Sequence, residues 1–137
     1  MRMLSGKCLC GQVQISVRGE PLRVGICHCM DCQQLTGTAF STYVYADKAG
    51  FKLLGGKPKI YVKTGSSGAK RAQAFCPECG SRIYASAAVP EPERYNLRVG
   101  TIRQRRELRP QTQLWCRSAL GWAMDLASVQ PQHPMQG

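Results

Sequence analysis

Apolar and polar residues alternate in short runs along most of the chain, the period of half-buried strands. Val13, Ile15 and Val17 alternate with Gln14, Ser16 and Arg18. Residues 22–27 and 40–45 repeat the pattern, and the second run is rich in aromatic and β-branched side chains. Residues 51–54 and 60–62 flank Gly55-Gly56-Lys57-Pro58, a turn-rich connection that predicts a hairpin. Residues 72–75, 82–87 and 95–99 are further strand candidates. The helical signal is confined to one place, where Asp31 is positioned to cap a turn or two through Cys32, Gln33, Gln34 and Leu35, and Gly37 to end it. The predicted class is therefore mainly β with little helix: folded sheets whose edges are pinned by cysteine knuckles. A length of 137 residues fits one domain, expected over residues 6–127, with 128–137 as a flexible tail of Gln, Pro and Gly.

Eight cysteines change the picture. The start of the chain has no apolar segment of the export type, and no apolar run approaches the roughly 18 residues of a membrane helix. A soluble, cytoplasmic protein is expected, and in a reducing compartment cysteines serve as metal ligands more readily than as disulfides. Seven fall in three clusters: Cys8-Leu9-Cys10-Gly11, Cys27-His28-Cys29-Met30-Asp31-Cys32, and Cys76-Pro77-Glu78-Cys79-Gly80. In an extended segment Cys8 and Cys10 would share one face. Pro77 and Gly80 suit the turn of a zinc knuckle.

Thiolates suit zinc, and four of them close a structural site. Pairing Cys8 and Cys10 with Cys76 and Cys79 leaves Cys27, Cys29 and Cys32, a trio with room for a fourth, exogenous ligand. Pairing Cys29 and Cys32 with Cys76 and Cys79 would instead make a zinc-ribbon site and leave Cys8, Cys10 and Cys27. Spacing alone leaves both partitions open. His28 is expected to face away from its two cysteine neighbours, in a supporting or core position, with a fourth-ligand role as the alternative, and Cys116 to be a small buried apolar residue.

The three motifs, with Thr36-Gly37 after the second, Phe75 and Ser81 around the third, and Gly100-Thr101, Pro110, Leu114-Trp115, Ser118 and Trp122 beyond, resemble the glutathione-dependent formaldehyde-activating enzyme family, which includes the centromere protein V domain. The resemblance implies an Mss4-like β fold with two Zn²⁺ ions per chain. It places Cys8, Cys10, Cys76 and Cys79 on a structural zinc and Cys27, Cys29 and Cys32 on a catalytic one. It also implies a carbon–sulfur lyase or synthase acting on a small thiol adduct such as S-hydroxymethylglutathione, with glutathione as the thiol. Gln33, Thr36 and Gly37 would shape the pocket or simply pack the helix and turn. The chain departs from the family pattern after Gly100-Thr101, where Ile102-Arg103-Gln104-Arg105-Arg106 stands in place of acidic residues.

A formal charge of +11 points to anionic partners. Two zinc ions held by seven thiolates would lower it to about +8, still basic. The alternative to an enzyme is therefore a non-catalytic zinc module that contacts nucleic acid or an acidic partner through Arg103, Arg105 and Arg106. Zinc storage or thiol sensing at Cys27, Cys29 and Cys32 is a third reading.

Overall fold

A computed structural model describes residues 2–19 and 22–131. Ten strands form two sheets among them. The smaller is antiparallel and contains β1 (Arg2–Lys7), β2 (Gln14–Gly19) and β5 (Phe51–Gly55) in the order β1-β2-β5. The larger contains β3 (Val24–Cys27), β4 (Ser41–Asp47), β6 (Lys59–Thr64), β7 (Lys70–Phe75), β8 (Arg82–Ala87), β9 (Arg94–Arg98) and β10 (Thr112–Leu114). Its order is β10-β3-β4-β9-β8-β7-β6, and β10 joins β3 in parallel. One α-helix, α1 (Met30–Thr36), follows β3. No helix among the described residues is long and apolar enough to cross a membrane.

The core lies between the sheets. Ile15 and Val17 of β2, with Leu4 of β1 and Val13 just before β2, meet Val24, Val44, Ala74, Ile83 and Leu97 from the larger sheet. These side chains supply most of the apolar burial that holds the two layers together. Alternation turns the other face of the larger sheet outward, away from the small sheet, and that face carries Cys27, Asn96 and Arg98 together with Ser41, Tyr43 and Gln73, which are nevertheless buried.

The hairpin expected across Gly55-Gly56-Lys57-Pro58 does not form. The segment crosses from one sheet to the other: β5 pairs with β2, and β6 pairs with β7. Phe51 explains the first choice, because its ring packs against Tyr84 and Tyr95 under the small sheet. Gly56 enables the crossing with φ +81, and a Cβ there would lie 2.4 Å from the Gln12 carbonyl oxygen.

The helix also starts differently from expectation. Cys29, not Asp31, is the N-cap: its Sγ accepts from the Cys32 backbone N–H at 3.2 Å. Asp31 lies in the first turn and pairs with Lys63 of β6 at 2.6 Å. Gly37 ends the helix with φ +70, its N–H donating to the Gln33 carbonyl. Beyond β10 the chain is mostly exposed and runs through short 3₁₀ turns, the last at Leu126–Ser128. The predicted flexible tail falls largely at 132–137, outside the described residues.

Candidate metal centres

Two groups of cysteines converge, each with its sulfurs within 4.8 Å of one another: Cys8, Cys10, Cys76 and Cys79, and separately Cys27, Cys29 and Cys32. This geometry selects the first of the two partitions that spacing left open.

The four-cysteine group is built from two turns. Cys8 and Cys10 are not on an extended strand as predicted. Gly11 N–H donates to the Cys8 carbonyl at 3.0 Å, and Gly11 takes φ +84, so the pair sits on a tight turn between β1 and β2. The second knuckle closes in the same way, through Gly80 N–H to the Cys76 carbonyl at 2.9 Å, with Gly80 at φ +78. Ser81 joins them: its Oγ accepts from the Leu9 N–H at 3.0 Å and lies 3.2 Å from Cys79 Sγ. Val13 N–H donates to Cys8 Sγ at 3.2 Å. The Ser81 hydroxyl is the chief cause that lowers the Cys79 thiol to about 5, which favours the ligating form.

Zinc–sulfur bonds of about 2.3 Å in a tetrahedron require sulfurs about 3.8 Å apart. Cys8–Cys10 and Cys10–Cys76 are separated by 3.6 and 3.7 Å, which fits such an ion and is far too long for a disulfide. The soft, all-thiol donor set fits zinc equally well.

The trio is assembled where β3 hands over to α1. Cys27 ends the strand, Cys29 caps the helix and Cys32 occupies its first turn. One set of backbone contacts therefore fixes both the helix start and the sulfur spacing. Mutual hydrogen bonding drives the thiols apart in acidity: Cys27 is pushed well up by Cys32 and by burial. Cys32 is drawn down to about 5, first by Cys27, against burial, and then by Cys29, Ser41 and Arg98. Such splitting marks thiols crowded into a single ligand-binding space.

His28 does not join them. It is buried, with Nε2 2.7 Å from Gln113 Oε1 and its ring edge-on to Phe40. Gln33 Nε2 donates to the His28 carbonyl and to the Ser118 carbonyl at 2.8 and 2.9 Å, tying the cysteine-bearing segment to the C-terminal region. Thr36 Oγ1 donates to the Cys32 carbonyl at 2.7 Å. Gln33, Thr36 and Gly37 thus hold the helix and its cysteines in place. Cys116, expected to be buried, is exposed, because Trp115 at φ +56 turns the chain outward into a 3₁₀ turn.

Sequence reasoning missed Ser41, Gln73, Arg82 and Arg98. Ser41 pairs with Cys27 across β3 and β4. Arg82 and Arg98 both exert their charge on Cys32. The run Arg103-Gln104-Arg105-Arg106 lies elsewhere: Arg103 N–H donates to Ser5, and Gln104 Oε1 accepts from the Ser5 N–H. Arg103 and Arg105 line, with Lys7 and Cys8, a cavity of about 520 Å³ beside the four-cysteine group.

A mainly β protein with one four-thiol and one three-thiol centre is the class that this fold and site define. Residues 3–118 match the glutathione-dependent formaldehyde-activating enzyme family, and the chain belongs to it. No curated protein matches the chain. A Rhodobacter sphaeroides protein of solved crystal structure is similar in fold, with a TM-score of 0.59 and 19% identity, over 80% of this chain and 98% of that one.

Proposed function

We propose that the chain is a zinc-dependent carbon–sulfur lyase or synthase that adds a small thiol reversibly to an aldehyde, with glutathione and formaldehyde as the family's implied pair. In the forward direction a sulfur–carbon bond forms, the carbonyl π bond breaks, and the thiol proton ends on the former carbonyl oxygen. One observation carries the reading: three half-buried thiols converge, and the histidine between two of them is turned away and hydrogen-bonded elsewhere. A structural zinc takes four protein ligands, whereas a reactive one leaves a position for substrate.

Cys27, Cys29 and Cys32 would hold the zinc, which would supply a Lewis-acid position that lowers the pKa of a bound thiol. The chain's own contribution is placement. Cys29 Sγ is fixed by the helix N-terminus, and Cys32 by the same turn, so the ligand triangle is set before substrate arrives. Gln33 and Thr36 keep the segment from relaxing. Cys8, Cys10, Cys76 and Cys79 would hold a second zinc that pins the β1–β2 turn to the β7–β8 turn.

Metal analysis with a glutathione titration tests the reading. Two zinc ions per chain, one perturbed by the thiol, is the expected result; a single zinc, or two that ignore thiols, would overturn it. The cavity lined by Lys7, Arg103 and Arg105 favours a second reading, contact with an acidic partner or nucleic acid. There, neutralising Arg103, Arg105 and Arg106 should weaken nucleic-acid binding and flatten its salt dependence.

A further inference from the structure

The outward face of the larger sheet carries two guanidinium groups beside the three-cysteine centre that, among the described residues, meet no carboxylate. Register places them there. Ser41 opposes Cys27 and Tyr43 opposes Arg98, and residues two apart on β4 share a face. Arg98 therefore stands diagonally across β4 from Cys27, on the same side of the sheet.

Arg82 arrives by a bulge. Gln73 opposes Ala85 and Ala74 opposes Tyr84, but Phe75 opposes Arg82, so Ile83 is skipped. The extra residue sends Ile83 into the core, where it is fully buried, and swings Arg82 onto the face of Gln73 and Arg98. The side chains confirm it: Gln73 Oε1 accepts from Arg82 Nη2 at 2.5 Å and from Arg98 Nη2 at 3.4 Å. Gln73 is itself buried.

These cations are costly as they stand. Arg82 Nε and Nη1 and Arg98 Nε are buried without a hydrogen-bond partner. Burial lowers both arginines, the neighbouring arginine lowers Arg82 further, and the cysteine charges oppose the shift. Like charges brought together in partly buried positions without an anion are unfavourable, because the solvation they give up is not replaced by a partner. An anion of matching charge belongs beside them. Three thiolates around a divalent ion leave one negative charge, and an anionic fourth ligand makes it two.

We propose that Arg82 and Arg98, bridged by Gln73, are positioning residues that supply the counter-charge of the loaded three-cysteine centre and so select a thiolate over water as its fourth ligand. The inference rests on the function proposed above and concerns the same site. An uncharged side chain at either position would leave the centre with uncompensated negative charge, weakening first its metal and then its thiolate.

The test uses the full zinc-loaded chain with a chromophoric chelator, and its cobalt-substituted form titrated with glutathione and with mercaptoethanol, a thiol that has no carboxylate. In Arg98→Met and Arg82→Met the more labile metal should be lost at roughly tenfold lower chelator, and both thiols should bind about tenfold more weakly. The second metal should be unaffected, and Arg98→Lys should recover most of the loss. Weaker glutathione binding with unchanged mercaptoethanol and metal binding would overturn the proposal, assigning the pair to a substrate carboxylate instead. Unchanged affinities throughout would also overturn it. Wild-type protein with one zinc would sink the functional reading itself, a distinguishable failure. Loss of the second metal in Arg98→Met would signal misfolding of that variant, and Arg82→Met with Arg98→Lys would then decide.

Discussion

The two cysteine groups use similar spacings to opposite ends. The four-cysteine group joins two turns far apart in sequence, at residues 8–11 and 76–80, and its sulfurs are braced by Ser81 and by the Val13 N–H. The three-cysteine group is local, spanning 27–32, and its neighbours on the sheet are cations and a serine. A long-range cross-link stabilises by closing a large loop, while a local one adds little to chain entropy and is free to serve chemistry. Under the function proposed above, the structural role would fall to the first and the reactive one to the second.

The largest effect should come from breaking the first group. Cys79→Ser removes one of four ligands and with it the tie between the β1–β2 and β7–β8 turns. Structural zinc binding in small domains is worth about 10 kcal/mol or more, comparable to the whole stability of a domain this size. The variant should lose its cooperative thermal transition by circular dichroism. A normal melt would show that the sheets hold without that ion.

Cys29→Ser should separate the two roles. Serine caps helices at least as well as cysteine, so the contact to the Cys32 N–H survives while the thiolate is lost. Zinc content should fall from two to one per chain and thiol-adduct turnover should drop at least a hundredfold, with the melting temperature within a few degrees of wild type. A chelator should make the same distinction without mutation: the zinc of the three-cysteine centre should leave with the fold intact, and that of the four-cysteine centre only together with unfolding. Simultaneous release would erase the contrast between the centres.

Much of this was legible from residue order, and the exceptions have physical causes. The strand at Val13, Ile15 and Val17 follows from strict alternation, and the cysteine clusters from their spacing. β1 escaped because only Leu4 of its six residues is buried, leaving no period to see. The sheet-to-sheet crossing at Gly56 was invisible because a Gly-Gly-Lys-Pro run serves a hairpin or a crossing equally, and tertiary burial of Phe51 decides between them. Arg82 escaped because period-two reading puts it on the core face with Tyr84 and Ser86, and only the bulge reverses it. Arg98 and Ser41 carry no motif; pairing across strands brings them to the trio.

Gly56 also bears on the contrast, since the backbone it rests on leads from the Cys8–Cys10 turn into β2. A Cβ there meets the Gln12 carbonyl oxygen at 2.4 Å and the Val13 Cα at 2.9 Å, on a residue already at φ +81. Gly56→Ala should cost about 2–4 kcal/mol in denaturant unfolding and loosen the four-cysteine zinc. The three-cysteine zinc should keep its affinity. Gly37→Ala, at φ +70 with nothing within 4 Å, should cost only about 1 kcal/mol.

The smallest expected effect isolates a helix cap from a metal ligand in one side chain. Cys29 does both: its sulfur accepts from the Cys32 N–H at 3.2 Å and converges with Cys27 and Cys32. Serine and alanine each abolish the thiolate, but only alanine removes the acceptor. If the trio contributes little to the fold, the difference between Cys29→Ala and Cys29→Ser should be that of a cap alone, about 1 kcal/mol in denaturant unfolding. Zinc content should be one per chain in both. Equal stabilities would mean that the sulfur does not cap the helix in solution and that the metal, when present, sets the position of Cys29. A gap of several kcal/mol would mean that the start of α1 is itself a structural keystone, and the division of labour between the two centres would fail.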